Sequence, residues 1–242
     1  MKNVLNNILH NIFINKKQLA ILIDPEKMEL DSVKPFIKKV NRSVASYIFV
    51  GGSTVPEDLT EPLVLEIKKH TTLPVILFPG DVAQITNAAN ALLFLSLMSG
   101  RNPEYLIGKH VQAIPYLKET SLEVIPTGYL LIENGVKTTV QEVTETIPMS
   151  TKEIDTIVNT ALAGELLGMR LMYLEAGSGA QQPVSTEVIS AVKHELTIPL
   201  IVGGGIKTKI QLDDAFRAGA NMVVIGSAIE ENEDFLYELR RW

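Results

Sequence analysis

Residues 200–227 contain the stretch that decides the fold. Leu200-Ile201-Val202 runs into Gly203-Gly204-Gly205, a stretch with 3.6-residue periodicity follows over Lys207–Ala218, and Met222-Val223-Val224-Ile225 then ends on Gly226-Ser227. A short β-branched run, a glycine break, an amphipathic helical stretch and a second β-branched run form a β-α-β unit, which requires a parallel sheet. The same order repeats towards the N-terminus. Further strands are expected at Leu19–Ile23, Ser46–Val50, Val75–Phe78, Ala91–Leu95, Leu122–Ile125 and Leu171–Leu174, making eight. Helices are expected at Asp31–Val40, Glu57–His70, Pro103–Leu117, Thr151–Leu167, Ser185–Glu195 and Glu231–Leu239 as well as Lys207–Ala218.

Eight units spaced by roughly 30 residues point to a (β/α)8 TIM barrel, which needs about 250 residues; the chain has 242. An open doubly wound sheet would carry G-x-G-x-x-G after its first strand, where this chain has Asp24-Pro25-Glu26-Lys27. The expected organisation is therefore a single (β/α)8-barrel domain over residues 1–242. It opens with an amphipathic helix in which Leu5, Ile8, Leu9, Ile12 and Phe13 recur at helical spacing. Only about a dozen residues separate the third and fourth strands, too few for a crossover helix and two loops, so the third helix is expected to be missing or replaced by an extended segment. Asn134-Gly135, flanked by β-prone residues, predicts that the fifth strand continues into a hairpin.

Composition narrows the function. With no cysteine, disulfides, thiolate nucleophiles and Cys-based metal sites are excluded, and a cytoplasmic location is compatible. A net charge of -6 and a pI near 5.3 argue against nucleic acid as a partner, since that grip needs clustered Lys and Arg. The mean hydropathy of +0.17 raises the question of a membrane span, but the most apolar stretch, Ala88–Met98, is broken by Asn90 and Ser96 and is shorter than the ~18–20 residues a span requires. The four His lack zinc-binding spacing, and no nucleophile elbow is present.

In a barrel the chemistry lies at the C-terminal ends of the strands. Gly204, Gly205, Gly226 and Ser227 follow strands 7 and 8, where backbone N–H groups commonly hold a phosphate; the alternative is that these glycines only make tight turns. Asp24, after strand 1, is a candidate Mg2+ ligand, or else the cap of a short turn. Lys27 could face the same anion or be solvated, and Arg101 is a second cation in question. Gly51-Gly52-Ser53-Thr54 offers donors to a second anion or, with Glu57, a helix capping box. Tyr173 and Glu175 alternate with Met172 and Leu174, so both should point into the barrel mouth and could recognise and deprotonate a substrate hydroxyl, or form a buried structural pair.

Ile23-Asp24-Pro25-Glu26-Lys27, Phe49-Val50-Gly51-Gly52-Ser53, Phe78-Pro79-Gly80, Asn102-Pro103 with Leu106-Ile107-Gly108, Tyr173-Leu174-Glu175-Ala176-Gly177-Ser178-Gly179 and Val202-Gly203-Gly204-Gly205-Ile206 together resemble the geranylgeranylglyceryl phosphate synthase family, which includes bacterial heptaprenylglyceryl phosphate synthases. The resemblance implies a modified barrel with its third helix replaced. It implies Mg2+-assisted transfer of a prenyl group, geranylgeranyl in particular, from a polyprenyl diphosphate to the primary hydroxyl of sn-glycerol 1-phosphate, yielding an ether lipid precursor and pyrophosphate. By the same resemblance Asp24 and Ser53 are metal and diphosphate ligands, with Lys27 and Thr54 nearby, while Tyr173, Glu175, Gly177, Ser178, Gly204, Gly205, Gly226 and Ser227 form the glycerol phosphate site. Asp24 and Glu175 carry the catalysis. The prenyl tail is expected along Leu92–Met98 and the helix bearing Tyr105, whose ring could limit chain length. A homo-oligomer and transient contact with a membrane surface are expected too. Two features depart from the family pattern: Gly226-Ser227 stands where many relatives have Gly-Asn, and Leu22 where some bacterial relatives have lysine. The competing classes are another phosphate-binding barrel, of the sugar-phosphate isomerase or thiamine phosphate synthase type, and a non-catalytic lipid- or phosphate-binding barrel.

Overall fold

The computed structural model describes residues 3–241. Eight parallel strands, β1 (Gln18–Ile23), β2 (Ala45–Val50), β3 (Val75–Leu77), β4 (Ala91–Leu97), β5 (Glu123–Leu131), β6 (Leu171–Glu175), β7 (Leu200–Gly203) and β8 (Met222–Ile225), pair in chain order, and β8 closes on β1. The helices are α1 (Val4–Phe13), α2 (Leu30–Val40), α3 (Thr60–Lys68), α4 (Lys109–Lys118), α5 (Thr139–Thr144), α6 (Ile154–Leu166), α7 (Thr186–Glu195), α8 (Lys209–Arg217), α9 (Ser227–Glu231) and α10 (Phe235–Glu238). Residue parity along each strand sorts two cores. Leu19, Ile21 and Ile23 of β1 face the helices, whereas Ala20 joins Phe49, Ile76, Leu93, Tyr129 and Tyr173 inside the barrel.

Helix α1 lies across the N-terminal mouth. Its Val4 and Ile8 pack into the interior cluster, and the Glu123 carboxylate accepts from the otherwise unpaired N–H groups of Val4 (2.5 Å) and Leu5 (3.1 Å). Beneath it, the Tyr47 hydroxyl shares its one proton between Asn7 Oδ1 (2.7 Å) and Gln18 Oε1 (2.9 Å), part of a polar layer inside an apolar barrel. That end is closed, leaving the opposite mouth for ligands.

Between β3 and β4 there is no third barrel helix, only a one-turn 3-10 segment at Val82–Gln84 in an otherwise extended connection. Three expectations need correction. Strand 5 runs well beyond Ile125, through Pro126 and Gly128 to Leu131. Pro126 keeps a carbonyl that accepts from the Arg170 N–H (2.8 Å), and Gly128 leaves room for Met98 and Met172, which a Cβ there would crowd at 3.1 and 2.7 Å. No hairpin forms at Asn134-Gly135. Strand β5 has neighbours on both sides, Ile132 bridges to Met149 in the parallel sense, and buried Asn134 instead donates its side-chain amide to the Ala176 carbonyl. Finally, α3 starts at Thr60 with no side-chain cap, so Thr54 and Glu57 do not form a capping box and Gly51–Thr54 lies outside the helix.

Helices also differ at their ends. The α4 region begins with a π-helical turn at Glu104–Gly108, and the last expected helix is two short ones, α9 and α10. Thr208 makes a complete capping box, exchanging bonds with Gln211.

Candidate active site

The C-terminal ends of the strands surround a cavity of about 350 Å³ that extends from the loops of β1, β2, β7 and β8 to a groove along β4 and α4. Its floor is aromatic. Phe78 stacks on Tyr173, with ring centroids 5.2 Å apart and an interplanar angle of 17°, and lies 6.0 Å from Tyr129 and 6.1 Å from Phe49. Phe78 is part of the quoted Phe-Pro-Gly stretch. Tyr129 lies beyond the expected end of strand 5, and the inward alternation of Thr127, Tyr129 and Leu131 is the sequence signal that marks it.

Tyr173 and Glu175 point into the barrel from β6, as their spacing predicts, and Glu175 is only 6% exposed. Its Oε1 accepts from the Gly177 N–H at 2.7 Å. Burial pushes the Glu175 carboxyl up to about 7, against the opposing pull of the Gly177 N–H and the Tyr173 hydroxyl. The Tyr173 and Tyr129 hydroxyls are driven well above the ordinary phenol range by burial, with the Glu175 charge adding to it. The Tyr173 hydroxyl lies close enough to the carboxyl to act on its charge, yet it is buried with no hydrogen bond to a protein group. A Cβ at Gly203 would overlap this hydroxyl, and one at Gly204 (φ +81°) would overlap Glu175 Oε1. Glycine is thus needed here for close approach.

Gly204, Gly205, Gly226, Ser227 and Ser178 all line the cavity. The β6 and β8 loops meet where Ser178 Oγ and Ser227 Oγ lie 3.2 Å apart. Ser227 begins α9, where the first N–H groups have no intrahelical acceptor. Gly177 does not line the cavity; it holds the Glu175 carboxyl from behind.

Asp24, Lys27, Ser53 and Thr54 line the cavity from the β1 and β2 loops, next to those of β8. Asp24 Oδ1 accepts from the Glu26 N–H (3.0 Å), so the turn-capping role exists, while Oδ2 has only Lys27 Nζ at 3.7 Å. Lys27 is committed more strongly to Glu230 (2.7 Å); burial disfavours its charge, but Glu230 and Asp24 together raise its pKa. Arg101 turns back onto the carbonyls of Met98 (3.2 Å) and Gly100 (2.7 Å), away from the cavity. Among the described residues no group of three or more acidic or histidine side chains could hold a metal by itself.

The groove contains Leu92, Leu93, Leu95, Leu97 and Val140, with Tyr105 across it donating to the Val143 carbonyl (3.2 Å). His110 is buried there against Phe94 (4.4 Å, edge-on) and Ser96 (3.2 Å), and burial lowers its pKa. An ion pair between Asp81 and Lys109 ties the extended segment to α4.

A model of the PcrB family matches residues 12–240. The chain is 54% identical over 233 residues to a geranylgeranylglyceryl phosphate synthase of Zunongwangia profunda, covering 96% of this chain and 99% of that one. It is 50% identical to one from Flavobacterium johnsoniae, covering 91% and 90%. Among solved structures, (S)-3-O-geranylgeranylglyceryl phosphate synthase of Thermoplasma acidophilum, in complex with its substrate sn-glycerol-1-phosphate, is similar at a TM-score of 0.92 and 34% identity, covering 99% of this chain and 96% of that one. Wild-type GGGPS from Thermoplasma volcanium is similar at 0.91 and 36%, covering 98% and 94%.

Proposed function

The chain belongs to the PcrB family, and on that premise we infer that it is a prenyltransferase joining a geranylgeranyl group to the primary hydroxyl of sn-glycerol 1-phosphate. The observation that carries this reading is the 54% identity along nearly the full length of both chains, combined with a cavity that joins a polar mouth to an apolar groove. Membership also sets aside the sugar-phosphate isomerase and thiamine phosphate synthase alternatives.

The residues supply the steps as follows. Glycerol phosphate sits with its phosphate against the N–H groups of Gly204, Gly205 and Ser227 and the hydroxyls of Ser178 and Ser227, a cradle built from dipoles instead of surface cations. Its glycerol hydroxyl lies towards Tyr173 and Glu175. The Tyr173 hydroxyl, lacking a protein partner, orients it, and the Glu175 carboxylate takes its proton as the ether C–O bond forms. The allylic C–O bond breaks and pyrophosphate departs towards Asp24, Ser53 and Thr54. Holding both reactants in one mouth supplies much of the rate enhancement.

Five carboxyl groups and three lysines line the cavity, so its own charge opposes two anionic substrates. A divalent cation resolves the conflict. Asp24, with Oδ2 turned from backbone partners and Ser53 nearby, fits Mg2+, which takes one or two carboxylates and fills its shell with phosphate oxygens and water. Bound there, Mg2+ would neutralise the departing pyrophosphate. The prenyl tail runs along Leu92–Leu97, with the Tyr105 ring limiting its length.

No helix of the described residues is long and apolar enough to cross a membrane. We place the enzyme in the cytoplasm, touching a membrane surface transiently to take up its apolar substrate. Exposed Ile107, Val111 and Ile114 on one side of the α4 region suit burial in a homo-oligomer. The direct test of function is incubation with Mg2+, radiolabelled glycerol 1-phosphate and prenyl diphosphates of increasing length. An organic-extractable ether, best with geranylgeranyl diphosphate, is expected; no product at any length would overturn the reading and favour a non-catalytic binding barrel.

A further inference from the structure

The extended connection that replaces the third helix does more than open the groove. Its 3-10 turn is capped by Asp81, whose carboxylate accepts from the Ala83 N–H (3.2 Å), and the turn aims Gln84 inward under the β2 loop. Gln84 is 1% exposed and does not line the cavity. Its amide makes a reciprocal pair of bonds with one backbone residue. Nε2 donates to the Gly52 carbonyl (2.8 Å), and Oε1 accepts from the Gly52 N–H (3.3 Å).

This grip falls on the residue that sets the diphosphate wall. A Cβ on Gly52 would lie 3.0 Å from Asp24 Oδ1, and a Cβ on Gly80 would lie 2.6 Å from the Gly52 carbonyl and 2.9 Å from Ser53 Cα. Asp24, Gly52, Ser53 and Gly80 are therefore packed face to face, with no slack for the loop to shift. The loop has no helix cap of its own, since α3 begins only at Thr60. Its backbone is held by a side chain from the next β-α unit instead.

We propose that Gln84 is a positioning residue for the diphosphate half of the reaction: through Gly52 it holds Ser53 and Thr54 in register with Asp24. The proposal rests on the assignment of the diphosphate to that wall. A side-chain amide suits the task because it presents a donor and an acceptor side by side, matching the N–H and C=O of one residue and so fixing the peptide planes on both sides of Gly52. Glutamate of the same shape keeps the acceptor and loses the donor.

The test is steady-state kinetics of the full-length enzyme with geranylgeranyl diphosphate, glycerol 1-phosphate and Mg2+, on Gln84→Ala, Gln84→Glu and, as a control, Tyr47→Phe. Tyr47→Phe breaks a buried network of comparable size at the closed mouth. Gln84→Ala should raise the KM for prenyl diphosphate at least tenfold while the KM for glycerol 1-phosphate stays within about twofold. Gln84→Glu, which sets a carboxylate oxygen against the Gly52 carbonyl, should raise the KM for prenyl diphosphate at least as far. Tyr47→Phe should lower the melting temperature without separating the two KM values. If both Gln84 variants leave the KM ratio at the wild-type value, or raise both KM values equally, the proposal is overturned. If Gln84→Ala does not fold, Gln84→Glu decides. A wild-type enzyme that makes no ether would instead refute the functional reading, a different result.

Discussion

Glu175→Gln should lower activity and raise stability, and the two effects should separate with pH. In the native protein the Glu175 carboxyl is pushed from an ordinary 4.5 to about 7 by burial. Raising a carboxyl pKa on folding means the native state favours the protonated form, so its contribution is fully present below about pH 4.5 and is lost as pH rises through about 7. That displacement is worth roughly 3 kcal/mol in all at 1.36 kcal/mol per tenfold, of which the part below pH 5.5 is already lost, so a wild-type urea melt at pH 8.5 should be less stable than one at pH 5.5 by about 2 kcal/mol. Glutamine keeps an oxygen for the Gly177 N–H and carries no charge to bury. The variant should therefore lose this part of the pH dependence and be more stable than the wild type at pH 8.5. Activity should move the other way. As a general base the carboxylate is active only when ionised, so wild-type kcat/KM should climb between about pH 6 and 8, and Glu175→Gln should lose roughly 10²–10⁴-fold with that limb flattened. Ether formation across this pH range and urea melts at its two ends measure both. A Glu175→Gln enzyme with wild-type kcat/KM, or one whose stability gain at pH 8.5 equals that at pH 5.5, would refute the reasoning.

Tyr173→Phe removes a buried hydroxyl that has no protein partner, so stability should change by less than about 1 kcal/mol in chemical denaturation while the KM for glycerol 1-phosphate rises at least tenfold; a large loss of stability would mean the hydroxyl is structural. Asp24→Ala should reduce turnover at least a hundredfold, and chelation of Mg2+ should do the same to the wild type, with little further effect of chelation on the variant. Tyr105→Ala should shift the preferred diphosphate to a longer prenyl chain, read from product masses with a mixture of chain lengths; an unchanged distribution would remove this ring as the limit.

Much of the architecture could be read along the chain because parallel β-α units leave a local record. Runs such as Leu200–Val202 and Met222–Ile225 are buried on both faces and so are continuously apolar, and each ends at a break where the chain must turn. The number of strands, the shortened third connection and the inward pair Tyr173 and Glu175 follow from spacing alone. Strand 5 was the hard case. Pro126 and Gly128 are turn residues by local preference, and only the side chains packed beside them, Met98 and Met172, explain why a strand passes through. Asn134-Gly135 misleads for a related reason: a hairpin needs a free edge, and in a closed barrel β5 has none.

Sequence alone thus determined the barrel, the end of it that carries chemistry, and the residue types available there, since periodicity and turn chemistry act over a few residues. Tertiary structure decided how those residues are poised. The pKa of Glu175 depends on burial among elements far apart in the chain, the free hydroxyl of Tyr173 on the missing Cβ of Gly203, and the β2 loop on an amide from residue 84. Each is a contact across the barrel, and desolvation, close approach and hydrogen bonding are set by distance in space, which separation along a chain does not encode.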